Sequence, residues 1–229
     1  MSSTLIISIF VLFFLILIFY QNIKNFLHIH ILMNIYSLIS LITDKPIWLY
    51  YTNNDNLHKM KVISQKLNIN LKNIKILDLG CGNGSMLDYF KKDSSELYGV
   101  DISPINIYNC KQKYKNSDNF QTANIIDYLN KNTTNNFDLI IINGVLGCFP
   151  LNEQKYIIEK SYNKLKKNGY MYLGAVQHIK DKNLFETYSI DDNFLKYLHK
   201  FNHTIYKEQE LFNENKYRTE NKLIIIQKK

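Results

Sequence analysis

One stretch, Ile76-Leu77-Asp78-Leu79-Gly80-Cys81-Gly82-Asn83-Gly84-Ser85, constrains this chain more than any other. Its apolar start reads as a buried strand, its glycines as a sharp turn, and the spacing of Met86, Leu87 and Phe90 as a helix over Met86–Phe90. Gly80 and Gly82 leave no side chain to keep a ligand off the backbone, and they reach dihedrals closed to other residues. A helix beginning there would present unpaired N–H groups to an anionic or strongly polar ligand.

Dinucleotide-binding enzymes place a G-x-G-x-x-G turn at the same point, so glycines alone do not decide the ligand. Two residues do. Asp78 stands two positions before Gly80, where a pyrophosphate would be repelled by a carboxylate, and Ser85 stands where the dinucleotide fingerprint has glycine or alanine. The pattern resembles the first motif of class I S-adenosylmethionine-dependent methyltransferases. That resemblance covers about residues 55–229. It implies a Rossmann-like α/β fold with a seven-stranded sheet whose last strand is antiparallel, and S-adenosyl-L-methionine as cofactor. It also implies that Asp78, Gly80, Cys81, Gly82 and Gly84 surround the methionine end of that cofactor.

A second signal lies further on. Glu96–Asp101 is a strand ending in a carboxylate, and Asp101 follows Gly80 by 21 residues, a spacing that suits hydrogen bonds to both ribose hydroxyls. Ser103-Pro104 then starts a helix to about Lys115, with Ser103 as N-cap and the proline in the first turn. The resemblance implies that Ile102 lies against the adenine. Phe120–Ile125 reads as the third strand, and Asn124 stands where the family usually has an aspartate on the adenine amino group. Its amide oxygen could accept the same bond while the N–H of Ile125 donates to the ring. Asp127 is the alternative, with helix capping or solvent exposure as its other role.

Phe137–Ile142 is an unbroken apolar run, as a parallel strand buried on both faces requires, and it ends at Asn143-Gly144. In the family the reacting centre lies just past this strand, and Asn143 is expected at the cofactor. Enzymes that methylate DNA bases place an Asp/Asn-Pro-Pro-aromatic motif here. Asn143-Gly144-Val145-Leu146 lacks it, which argues against nucleic acid as substrate. Asn152–Lys167 reads as a helix with Tyr156, Ile157, Tyr162 and Leu165 inward, capped by Asn168-Gly169, and Tyr170–Val176 as the fifth strand. Short helices within 184–200 would wall a substrate pocket. A final hairpin, from His203–Phe212 to Asn221–Gln227, completes the sheet.

No catalytic residue declares itself. Methyl transfer from a sulfonium is an in-line displacement governed by alignment, and a base is needed only for a protonated acceptor. His178, at the end of the fifth strand, is the candidate base, with pocket lining as its alternative role.

The N-terminal part differs in kind. Met1–Ile23 carries no charged side chain, and Leu5–Tyr20 is apolar apart from Ser8. At about 1.5 Å per residue, roughly 20 such residues span a hydrocarbon core. No basic region or small-residue cleavage site marks a signal peptide, so residues 1–24 are expected to be a single-pass transmembrane anchor preceding the catalytic domain. Lys24 and the lysines beyond it place that domain on the cytosolic side.

Residues 25–54 form an amphipathic helix and linker, with Leu27, Ile31, Ile35, Leu38 and Ile42 on one side and His30, Asn34 and Ser37 on the other. That helix would lie on the membrane, cover the catalytic domain, or cross as a second span. Asn53-Asn54-Asp55 signals a helix over about Asn56–Leu67, and Tyr50 and Tyr51 are candidates for a cofactor lid or an interfacial belt.

Net charge is +8, yet Arg218 is the only arginine, and lysine, asparagine and isoleucine abound as in an AT-rich coding sequence. The surplus charge therefore implies no nucleic-acid partner. Three scattered cysteines, Cys81, Cys110 and Cys148, form neither a disulfide framework nor a metal site. The expected activity is methyl transfer to an unidentified acceptor at the membrane: a lipid, a membrane protein or an amphiphilic small molecule. A cofactor-binding scaffold without catalysis and an NAD(P)-dependent oxidoreductase are the alternatives.

Overall fold

The computed structural model describes residues 53–67, 73–91, 95–115, 117–131, 136–177, 192–207, 211 and 221–229. The expected membrane anchor, the amphipathic helix, Tyr50, Tyr51 and His178 lie outside them. Among the described residues no helix is long and apolar enough to cross a membrane.

The elements alternate as the patterning requires: α1 (Asn53–Leu67), β1 (Lys75–Leu79), β2 (Glu96–Asp101), α2 (Pro104–Lys113), β3 (Phe120–Thr122), α3 (Ile125–Lys131), β4 (Phe137–Asn143), α4 (Leu151–Lys164), β5 (Leu165–Gln177), α5 (Asp192–Leu198), β6 (Asn202–Lys207) and β7 (Asn221–Gln227). The strands form one seven-stranded sheet in the order β3-β2-β1-β4-β5-β7-β6. β1 pairs in parallel with β2 and β4, whereas β7 runs antiparallel to both β5 and β6. This is the expected Rossmann-like sheet with its reversed last strand. The order reverses at β1/β4, and ligands of such sheets sit outside the carboxyl ends of the strands at that point.

Both faces of the sheet are covered. Leu77, Leu79, Ile140 and Ile142 pack with Ile125 and Tyr128 of α3, Ile157 and Ile158 of α4, and Phe194 and Leu198 of α5. On the other face Ile76, Leu139, Ile141 and Tyr172 pack with Met60 and Ile63 of α1, Leu87, Phe90, and Ile107 and Cys110 of α2. The alternation along β4 supplies both cores, which is why its sequence is apolar throughout.

Four local expectations are corrected. After the glycine turn the chain makes only a four-residue 3-10 helix, Leu87–Phe90, in place of a helix starting at Met86. Leu87 N bonds back to Gly84 O at 2.9 Å and Lys91 N to Asp88 O at 3.3 Å, a tight winding with no sizeable dipole. The third strand ends at Thr122 rather than at Ile125, and Ile125 instead begins α3, because Asn124 Oδ1 accepts from Ile126 N at 2.8 Å and caps that helix. α1 begins at Asn53, three residues before the expected start.

The fourth correction is α4, which ends at Lys164, with Leu165 already extended. Asn168 takes a positive φ of 64° inside a bulge of β5, not at the helix end. The cause is distant in sequence. Lys228 Nζ donates to Asn163 O at 3.1 Å and Leu165 O at 2.6 Å, while its backbone pairs with Asn168 and Gly169. Of the residues expected to point inward, Ile157 of α4 and Leu165 just past its end are buried. Tyr162 is half-buried and packs against the core beside Phe201, whereas Tyr156 is half-buried and bonds outward to Asn130.

Candidate active site

The turn after β1 is stitched to the end of β2. Gly80 N and Cys81 N both donate to Val100 O, at 2.7 and 3.0 Å, and Gly82 N donates to Asp101 Oδ2 at 2.9 Å. Asp101 Oδ1 accepts from Ser103 N at 2.8 Å and Asn106 Nδ2 at 3.2 Å. Asp101 is therefore a held carboxylate. Burial pushes its pKa up, and those hydrogen bonds pull it partly back. Ser103 Oγ caps α2 as expected, accepting from Asn106 N.

Asp78 is the opposite case. It is 1% exposed, and its Oδ2 has no hydrogen-bond partner among the described residues. Burial, and secondarily the charge of Asp101, raise its pKa to about 8. A buried carboxyl of this kind is satisfied by a cationic donor.

Gly82 has φ +53°, and a Cβ there would meet nothing within 4 Å. The turn thus has an open side onto which a ligand can come close to the backbone. Gly84, with φ +80°, is closed from behind, since a Cβ would lie 2.7 Å from the ring of Tyr114. Tyr114 donates to Gly84 O at 2.6 Å and Asp88 Oδ1 at 3.0 Å, stacks on Phe120, and is joined by Lys113, which pairs with Asp88 at 2.5 Å.

Cys81 and Cys110 are both buried, and Cys110 Sγ approaches Gly82 O at 3.3 Å. α2 therefore acts as a splint. Asn106 at its start holds Asp101, Cys110 touches the middle of the turn, and Lys113 with its C-cap Tyr114 grips the far end.

Asp78, Asp101 and Asn143 project from the same face of the sheet, on β1, β2 and β4, by the strand alternation and register. Asn143 Oδ1 lies 3.4 Å from the hydroxyl of the fully buried Tyr172, which donates to it. Both crowd over Gly174, where a Cβ would lie 2.2 Å from that hydroxyl and 2.3 Å from Oδ1. Ile102 is half-buried and follows Asp101 directly, and Ile125 is buried at the first residue of α3. Asn124 is half-buried, with its amide oxygen already accepting the cap bond. Asp127 is exposed in the first turn of α3, whose cap is Asn124.

Sequence reasoning singled out neither Tyr114, Asn106 and Tyr172 nor Asn56, which contacts Ser85. Their positions follow from tertiary packing, and no local pattern marks them.

The sheet order, the open glycine turn and the two carboxylates define the class I S-adenosylmethionine-dependent methyltransferases. Residues 70–222 match the family described as "Methyltransferase domain", and the chain belongs to it. A relative named "Ubiquinone biosynthesis O-methyltransferase", from Pelagibacter ubique, is 30% identical over 109 residues, covering 46% of this chain and 43% of that protein. The match thus spans less than half the length of that curated relative.

The fold is shared with solved methyltransferases. The N-methyltransferase NodS of Bradyrhizobium japonicum, in complex with S-adenosyl-L-homocysteine, superposes with a TM-score of 0.62 at 16% identity, covering 85% of this chain and 98% of that one. Magnesium protoporphyrin IX methyltransferase of Synechocystis, with S-adenosylmethionine bound, gives 0.55 at 18% identity, covering 76% and 79%. A TehB-like S-adenosylmethionine-dependent methyltransferase of Corynebacterium glutamicum gives 0.58 at 18% identity, covering 75% and 88%. The cofactor of this protein is S-adenosyl-L-methionine, and the partnerless Asp78 Oδ2 and the open side of Gly82 fit it.

Proposed function

We propose that this protein methylates an acceptor held at a membrane, a lipid, a membrane protein or an amphiphilic small molecule, through an oxygen atom. What carries the reading is the pairing of an S-adenosylmethionine site with the uncharged stretch Met1–Ile23, apolar from Leu5 to Tyr20 apart from Ser8, which is long enough to anchor the chain. A tethered enzyme meets bilayer acceptors at raised effective concentration. The relative named for O-methylation in ubiquinone biosynthesis supports an oxygen acceptor.

When bound, S-adenosylmethionine supplies a methyl group on a positively charged sulfur. The chain's own residues do the rest. Asp101, fixed by Gly82 N, Ser103 N and Asn106, accepts from the ribose hydroxyls. Asp78 faces the cationic amino-acid end. Ile102 and Ile125 bound the adenine, Asn124 and the N–H of Ile125 read its edge, and Asn143 lies between cofactor and acceptor. His178 is the proposed base for a protonated acceptor.

Labelled S-adenosylmethionine incubated with membranes should put label into the membrane fraction, on an oxygen, and carbonate washing should leave the full-length chain membrane-bound. Deleting residues 1–23 should release the chain and lower activity on bilayer acceptors far more than on a soluble analogue. Equal loss on both would remove the membrane from the account of substrate choice.

A further inference from the structure

The residues of the glycine turn and of β2 are supplied by the sheet; α1 lies before it in sequence and packs against the same face. Its buried side carries Asn56, Lys59, Met60 and Ile63. Apolar packing explains Met60 and Ile63, yet it does not explain an amide and a lysine on a buried stripe.

Asn56 is 2% exposed, and its Nδ2 donates to Ser85 Oγ at 2.8 Å. Ser85 is the residue that closes the glycine turn. The other end of the amide, Oδ1, is buried with no hydrogen-bond partner among the described residues. Four buried side-chain atoms there share that condition, and they divide by place. Gln154 Oε1 and Ser161 Oγ belong to α4, packed on the opposite face, whereas Asn56 Oδ1 and Asp78 Oδ2 both belong to the residues around the glycine turn. Two buried acceptors lacking donors beside a turn with an open side call for a ligand group that donates several hydrogen bonds and carries positive charge.

We infer that Asn56 belongs to the cofactor site, its side-chain oxygen accepting a hydrogen bond from the α-ammonium group of the cofactor alongside Asp78. The inference rests on the S-adenosylmethionine reading and extends the site to α1, beyond the sheet and its turns. Ser85 is then a positioning residue: its hydroxyl occupies the Nδ2 side of the amide and so turns Oδ1 toward the ligand.

The test separates the two ends of the cofactor. S-adenosylhomocysteine has the amino-acid group, and 5′-methylthioadenosine has the same nucleoside and sulfur without it. By calorimetry on the full-length chain, Asn56→Leu should weaken S-adenosylhomocysteine by about tenfold or more and 5′-methylthioadenosine by less than about threefold, the loss being confined to one charge-assisted bond. Asn56→Ala repeats the measurement with a smaller side chain, so that a leucine misfit does not decide the outcome. Equal weakening of both ligands, as a structural role would give, overturns the inference, as does unchanged binding of both. If the unmodified chain binds neither ligand, the cofactor reading fails first, which is a distinct result.

Discussion

The hydroxyl of Tyr114 donates to the carbonyl of Gly84 at 2.6 Å, across 30 residues of chain, and the same ring fills the space a Cβ on Gly84 would need. The shape of the cofactor turn is therefore imposed partly from the end of α2. Tyr114→Phe should keep the ring and lose about 1 kcal/mol of stability with the bonds to Gly84 and Asp88. It should also weaken cofactor binding severalfold through a looser turn, with little change in the rate at saturating cofactor. Denaturant titration and steady-state kinetics check both. A variant that loses kcat and keeps its cofactor KM would contradict the positioning role.

Gly84→Ala meets two obstacles at once, a positive φ and the Tyr114 ring. It should destabilise by about 2 kcal/mol or more, since overpacking and left-handed strain both act. Gly82→Ala, with open space around it, carries the backbone strain alone and should cost less stability, yet it places a methyl group on the ligand side. Thermal melts and calorimetry should thus rank the two variants in opposite orders.

Asp101→Ala should weaken S-adenosylmethionine by about 1.5 to 3 kcal/mol through loss of charge-assisted bonds to the ribose, besides leaving Gly82 N and Ser103 N without their acceptor. Unchanged affinity by calorimetry would remove the ribose assignment.

The pKa of Asp78, raised by burial and by Asp101 to about 8, has two pH consequences. In the free protein the fold binds a proton that the unfolded chain has released above its ordinary value of 3.8, so this contribution to stability is full below that value and is lost as pH rises through about 8. Binding a cation favours the ionised carboxylate, so affinity should fall as pH drops below about 8, by up to roughly tenfold per unit. Asp78→Asn should flatten both profiles. Cofactor affinity independent of pH between 6 and 8 in the unmodified protein would count against Asp78 facing the cationic end.

Lys228 caps the last carbonyls of α4 and anchors the bulge of β5. Lys228→Ala should cost about 1 kcal/mol, or about 2 to 4 °C in Tm for a domain of this size, and leave cofactor affinity unchanged. A shift in affinity would mean that the bulge reaches the site.

The amino-acid sequence alone determined the sheet and the two carboxylates. Both depend on patterns that repeat or recur at short range: period-two and all-apolar strands, glycines at a strand end, and an acid at the end of the following strand about 20 residues on. Asp78 and Asp101 were legible because strand ends fix where a side chain can go. Tertiary structure decided everything that depends on a contact between distant residues. The helix expected after the glycine turn became a short 3-10 helix beside the Tyr114–Asp88–Lys113 group; α4 stops at Lys164, where Lys228 caps its carbonyls; Asn124 turned from strand end to helix cap. Asn56, Tyr114 and Tyr172 had no local signature, because a hydrogen bond across 29 or 30 residues is set by how helices settle on the sheet. The difference between the two acids is of the same origin. In the sequence they are two aspartates at strand ends, and only packing gives Asp101 three donors and leaves Asp78 Oδ2 with none among the described residues.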